Sequence, residues 1–273
     1  MRDIRLDNIT EVAVDSFSGL PDARQRLLVQ ELVRALHGYA RSVRLTHDEW
    51  RGAIAFLHRV GAFSNDSRSE FGLLSDVTGL SSLVDLLASD PAATPGSVLG
   101  PFHTPDSPWL PNPVDLVRDN AGERVRLHLS VRDPDGRPLP AAEVDFWQNA
   151  ANGLYWQIDP SQPRDNLRCR LRADAAGDVG ITTVRVVPYQ IPTDGPVWLD
   201  LVEPARRGAW RPAHYHLIVS APGHRTLVTE LFDAEDPYLD RDAVFGVRSA
   251  LIGRYEPGPE GPVMNVRIVL ARA

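Results

Sequence analysis

The period of the apolar residues changes once along this chain, from that of a helix to that of a strand, and a proline-rich stretch separates the two regimes. In residues 21–44, Leu28, Leu32, Ala35, Leu36 and Tyr39 recur at three- and four-residue spacing, which marks one face of a helix. Thr46 and Glu49 form a capping-box pattern ahead of a second stripe, Trp50, Ile54, Leu57 and Val60. A third segment, about residues 69–87, places Phe71, Leu74, Val84 and Leu87 on similar faces, with Gly79 as a break. Residues 90–113 then hold seven of the 23 prolines, too many for a helix or a central strand. Val98, Leu99, Phe102 and Trp109 are poor choices for a solvated linker, so this stretch is expected to run over a folded surface and contribute to a site.

Beyond residue 120 the apolar residues alternate. Val125, Leu127, Leu129 and Val131 do so in RVRLHLSVRD, and Asp133-Pro134-Asp135-Gly136 supplies a turn. Five further strand candidates follow, divided by Gly, Pro and Asp, a pattern that suits a sandwich or barrel. The expected architecture is mixed: a helical N-terminal domain over residues 1–97 and an all-β sandwich over 98–273. The helical stripes are broad enough to need a covering partner, and a second copy of the chain is one candidate.

Composition narrows the function. Cys169 is the sole cysteine, so neither an internal disulfide nor a thiolate metal cluster can form, which suits a reducing compartment. A formal charge of −7 argues against duplex binding, so no nucleic-acid partner is expected. No apolar run approaches the ~18 residues of a membrane span. The first residues, MRDIRLDNITEVAVD, carry acids where a signal peptide would be apolar. The expectation is a cytoplasmic protein with no membrane partner.

The string GAWRPAHYHLIVSAPG carries the chemistry. His214 and His216 lie two apart in a strand-like run, so both imidazoles share one face and could hold a metal. A cupin motif fails here, because Ser220 and Ala221 stand where its glutamate belongs, and no H-E-x-x-H is present. A two-His-one-carboxylate site stays open through Glu230 or Asp233. Tyr155 and Tyr189 each follow a predicted strand and enter a loop rich in Gly, Pro or Asn, where functional side chains are often held.

The order Tyr155, Tyr189, His214, His216 resembles the iron site of the intradiol ring-cleaving dioxygenases. GPFH, VDFWQNAANGLY, PTDGP, RPAHYH, SAPGHR and DPYLDRDAVFGVRSALI carry the resemblance over about residues 98–255, and VLGPFH with the last string is most similar to the hydroxyquinol 1,2-dioxygenase branch. The resemblance implies Fe(III) held by Tyr155, Tyr189, His214 and His216. It also implies cleavage of an aromatic diol by O₂, hydroxyquinol going to maleylacetate or its enol. Catechol or chlorocatechol cleavage to muconates is the same-class alternative, and a metal-free binding sandwich the different-class one. Tyr189 would leave the metal when the diol binds, and Arg211 would stabilise the ketonised ring. Val98, Leu99, Gly100, Pro101, Phe102, Ile191 and Pro192 would line an apolar slot, with Leu80 and Leu83 from the helices. Arg211 and Glu230 are also expected to bind substrate; Glu230 stands where catechol-cleaving members usually carry Gln, either as a raised acid or as a partner of Arg211. The resemblance further implies a homodimer made by the N-terminal helices, in some members around a bound phospholipid. Tyr215, on the opposite strand face from the histidines, is expected to tolerate substitution without loss of metal.

Overall fold

The computed structural model describes residues 3–65 and 68–273; residues 1–2 and 66–67 fall outside the described residues. The chain divides into two compact units, one ending at Arg59 and the other running from Val60 to Ala273. The break falls inside a helix, well before the 97/98 boundary expected from the change of period, because the two helices after residue 70 group with the sheets.

The first unit contains α1 (Ile9–Asp15), α2 (Ala23–Ser42) and most of α3 (His47–Phe63). Asp22 caps α2 by accepting the Gln25 amide at 2.6 Å. The capping box of α3 forms reciprocally: Thr46 N and Oγ1 both donate to Glu49 Oε2 at 2.8 Å, and Glu49 N donates to Thr46 Oγ1 at 3.3 Å. Gln30 and Arg41 donate to the carbonyls of Val14 and Leu6, tying α2 to the N-terminal segment. No residue of α2 is buried, and Leu28, Leu32, Leu36 and Tyr39 are exposed along one face.

The second unit starts with α4 (Glu70–Val77) and α5 (Leu80–Ala88). Twelve strands follow among the described residues: β1 (Val114–Asp115), β2 (Arg124–Arg132), β3 (Glu143–Trp147), β4 (Arg168–Arg172), β5 (Asp178–Val184), β6 (Tyr189–Gln190), β7 (Trp210–Arg211), β8 (His214–Ser220), β9 (Leu227–Asp233), β10 (Ile252–Gly253), β11 (Tyr255–Glu256) and β12 (Val263–Val269). One sheet has the order β1-β5-β2-β12-β11, the other β10-β9-β8-β3-β4, and β6 pairs with β7 alone. Leu127, Leu129 and Val131 of β2 meet Val144, Phe146, Leu217, Val219 and Leu231 of the second sheet in one buried core. Each such side chain contributes about 1.5–3 kcal/mol through burial.

Tyr215 belongs to the core. Strand alternation does turn it away from His214 and His216, but it points into the inter-sheet core, where its hydroxyl meets that of Tyr255 at 2.5 Å. Truncating so large a buried side chain costs about 3–5 kcal/mol.

The proline-rich segment forms neither helix nor strand of its own over residues 89–113. It is an extended strap hung on sheet edges: Thr94 N donates to Val269 O, Ser97 N to Val228 O, and Leu110 N to Arg170 O. Arg168, a buried guanidinium at the start of β4, donates to Ser107 Oγ and to the carbonyls of Phe102 and Thr104.

Candidate metal centre and active site

β8 delivers both histidines to the face opposite the core, and both are buried. His214 Nδ1 lies 2.6 Å from the Pro212 carbonyl, so that nitrogen carries the proton and Nε2 is left with a bare lone pair. His216 Nδ1 lies 3.4 Å from the Glu230 carboxylate without a hydrogen bond between them, and the nearby negative charge favours the proton on that nitrogen. The two Nε2 atoms stand 3.1 Å apart, lone pair toward lone pair. Tyr155, reaching in from the loop after β3, puts its hydroxyl 3.0 Å from His216 Nε2. Tyr189 packs edge-on to Tyr155 with ring centroids 5.6 Å apart, and 5.5 Å from the His214 ring.

Ligand atoms about 2.1 Å from a common cation, at right angles to one another, are about 3.0 Å apart. The spacings at His214, His216 and Tyr155 are of that size. The electrostatics agree. Burial pulls His214 down to about 4 and His216 further below its ordinary value, so both imidazoles are neutral and able to ligate. Burial, then the neighbouring Tyr189, raises Tyr155 well above the usual phenol range, and burial raises Tyr189 as well. Two such phenols ionise together only against a strongly charged cation. The donor set therefore fits a hard, highly charged metal ion.

His214, His216 and Glu230 also place one donor atom each within 4.8 Å of one another. Glu230 is otherwise engaged, however. Its Oε1 accepts from Arg211 Nη1 at 2.7 Å, and its Oε2 from Arg211 Nη2 at 3.0 Å and from Ser97 at 2.7 Å. Burial raises the Glu230 carboxyl, but Arg211 and then His214 outweigh it, bringing it down to about 2. Of the two outcomes open at that residue, pairing with Arg211 is the one observed. Asp233, the other carboxylate in question, is bound by Arg185 at 2.6 Å.

Tyr189 and Arg211 are direct cross-strand partners on β6 and β7, which brings the guanidinium beside the phenol. Arg211 Nη1 also lies 3.2 Å from His214 Nε2.

The strap supplies the nearer wall. Gly100 has φ +70°, and a Cβ there would lie 3.0 Å from His216 Cε1, so the backbone can rest on that imidazole only as glycine. Phe102 stacks on Tyr155 with centroids 4.2 Å apart and an interplanar angle of 17°. Val98 and Ile191 are buried, whereas Leu99, Pro101 and Pro192 are exposed. Leu80 and Leu83 are 55% and 51% exposed, while the buried Ser82 between them donates to the Phe245 carbonyl.

Several residues near the site had no distinguishing sequence signal. Trp147 lies flat on His216, 4.8 Å between centroids and 2° between planes. Asp242 binds Arg211 Nε at 3.2 Å. Asp76 of α4 is raised by burial, lowered by the Ser81 hydroxyl and the Arg211 charge, and raised by Glu230 and Asp242, which puts its carboxylate within reach of the site's field.

Two phenols, two neutral imidazoles and a buried guanidinium thus converge on the outer face of one sheet of the sandwich, a donor set suited to a hard metal ion. A family model described as Dioxygenase matches residues 99–269, and one described as Catechol dioxygenase N terminus matches residues 22–95. Hydroxyquinol 1,2-dioxygenase of Rhodococcus opacus is 40% identical over 257 residues, covering 93% of this chain and 85% of that protein. 6-chlorohydroxyquinol 1,2-dioxygenase of Cupriavidus pinatubonensis is 38% identical over 263 residues, covering 96% and 95%. The solved structure of hydroxyquinol 1,2-dioxygenase from Pseudomonas putida DLL-E4 matches with a TM-score of 0.89 at 39% identity, covering 98% and 99%. The chain belongs to the intradiol ring-cleaving dioxygenases, an iron-dependent family that acts on aromatic diols with O₂. Among the described residues, no single helix is long and apolar enough to cross a membrane.

Proposed function

We propose that this chain holds Fe(III) through Tyr155, Tyr189, His214 and His216 and cleaves hydroxyquinol between its adjacent hydroxyls. Hydroxyquinol and O₂ combine to give 3-hydroxy-cis,cis-muconate, the enol of maleylacetate, with both oxygen atoms retained. The observation that carries this reading is the pair of imidazole Nε2 atoms 3.1 Å apart, with the Tyr155 hydroxyl 3.0 Å from one of them.

A ferric ion held there would supply the Lewis acidity that ionises the phenols and activates a bound diol toward O₂. The chain's residues do the rest. Tyr189 Oη would serve as the base for one diol proton, and Arg211, its cross-strand neighbour, would steady the resulting phenol. Arg211 then faces the electron-rich ring and favours its ketonised form. Val98, Phe102 and Ile191 form apolar walls that suit a flat ring and exclude water. Asp76 is the carboxylate available to accept a hydrogen bond from the third hydroxyl, which favours hydroxyquinol over catechol. The uncovered apolar face of α2 supports a homodimer through the N-terminal helices, with a phospholipid chain as a further apolar occupant.

The test is a visible spectrum and iron content of the purified protein, followed by oxygen uptake on hydroxyquinol, catechol and chlorocatechol. Phenolate-to-Fe(III) charge transfer and hydroxyquinol-dependent uptake are expected. A colourless, iron-free protein that binds but does not oxidise diols would establish the binding-module alternative.

A further inference from the structure

Glu230 sits on β9 directly opposite His216, fully buried. Its two oxygens are surrounded by protein groups on every side that the structure describes. Arg211 takes both in a fork, Ser97 donates to Oε2, and His214 Nε2 and His216 Nδ1 each lie 3.4 Å from Oε1. Asp242 binds the remaining edge of the same guanidinium, through Nε at 3.2 Å and Nη2 at 3.3 Å. Gly246 closes the cluster: a Cβ there would lie 2.7 Å from Arg211 Nη2 and 2.8 Å from Glu230 Oε2. An acid so enclosed has no oxygen left to offer a ring substituent.

The charge count gives this enclosure a consequence. One guanidinium shared by two carboxylates leaves one uncompensated negative charge, in an interior where charges are weakly screened. That charge lies 3.4 Å from His216 Nδ1, whose opposite nitrogen faces the metal position, and 3.4 Å from His214 Nε2, so its field acts on both imidazoles. A negative charge close to ligating imidazoles raises their basicity, which strengthens binding of the more highly charged metal ion.

We propose that Glu230 is a positioning residue for His216 and Arg211 that biases the bound iron toward its ferric state, and not a substrate contact. This rests on the reading of the site as a ferric centre with two tyrosinates.

The experiment is spectroelectrochemical titration of the iron-loaded protein, wild type against Glu230→Gln, Glu230→Asp and Ser97→Ala. Removing the charge in Glu230→Gln is expected to lower the preference for Fe(III) over Fe(II) about tenfold, a rise of about 59 mV in a one-electron couple. Glu230→Asp keeps the charge and is expected to stay nearer the wild-type potential than Glu230→Gln does. A Glu230→Gln potential equal to wild type, or a larger shift in Glu230→Asp than in Glu230→Gln, overturns the proposal. If Glu230→Gln does not fold, Ser97→Ala decides. It strips a donor from the carboxylate, so a lower potential supports the proposal and an unchanged or higher one overturns it. A wild-type protein without the tyrosinate charge-transfer band fails the ferric reading itself and takes this proposal with it. A coloured wild type with an unresponsive Glu230→Gln fails the role of Glu230 alone.

Discussion

Tyr189 and Arg211 are 22 positions apart in the chain and face each other across the short β6–β7 ladder. The pairing sets a phenol that can change its protonation beside a guanidinium that does not. Neither strand belongs to the two large sheets, so the ladder adds a functional corner to the sandwich without interrupting its core. Asp242 and Glu230 hold the guanidinium from behind, which keeps its position independent of substrate.

His216→Ala is expected to lose most of its iron and its visible colour, because one of two facing imidazole nitrogens disappears. Tyr215→Phe should keep both, since its side chain lies in the core, and should lose only about 1 kcal/mol with the Tyr255 hydrogen bond. Metal analysis, absorption spectra and thermal melts read all three quantities. A fully coloured His216→Ala would exclude the assigned ligand set.

Gly100→Ala is expected to cost about 1–2 kcal/mol in stability and to weaken metal loading. The new methyl would press on His216 at 3.0 Å, in a backbone conformation that L side chains rarely adopt. Iron stoichiometry alongside denaturant midpoints tests this. Normal loading and unchanged stability would mean that the strap stands off the imidazole.

Asp76→Ala should reduce the preference for hydroxyquinol over catechol while leaving iron content unchanged. A slot that discriminates by apolar fit alone gives about 10–200-fold, whereas one that hydrogen-bonds the extra hydroxyl reaches about 10⁴-fold. The ratio of kcat/KM for the two diols, corrected for spontaneous oxidation of hydroxyquinol, reports which regime holds. Equal ratios in wild type and variant would remove Asp76 from substrate recognition.

Cys169 is buried among core residues, and burial raises its thiol to about 12. The native thiol is therefore expected to resist alkylation at pH 8 and to react only on unfolding. For the sign, the folded value lies above the unfolded one near 9, so the unfolded chain loses its proton first. The contribution to stability is full below pH 9 and declines between about 9 and 12. Rapid native-state labelling, at a rate independent of denaturant, would contradict the enclosed geometry.

The apolar face of α2 is expected to hold two copies together. Sedimentation at micromolar concentration should give a dimer, and Leu32→Glu with Leu36→Glu should give a monomer that retains iron. A monomeric wild type would show that the face has another occupant.

Local patterns were legible without coordinates. The capping box at Thr46 and Glu49, the alternation in β2 and the shared face of His214 and His216 all follow from backbone periods of 3.6 and 2, which depend only on neighbours in sequence. The order of two tyrosines and two histidines was legible too, through its family resemblance. What surrounds those side chains was not. Tyr215 could be assigned to the other face of β8, yet only the packing of two sheets makes that face the core. The pattern of α5 does not show which residue faces inward: the structure buries Ser82 and leaves Leu80 and Leu83 about half exposed. Glu230 is open in the sequence to being a raised acid or a partner of Arg211, and the side-chain fork between Arg211 of β7 and Glu230 of β9 decides it. The reason is physical: side-chain direction is a local property of the backbone, whereas burial, charge pairing and protonation depend on groups that the chain brings together from more than a hundred residues apart, as it does Ser97 and Glu230.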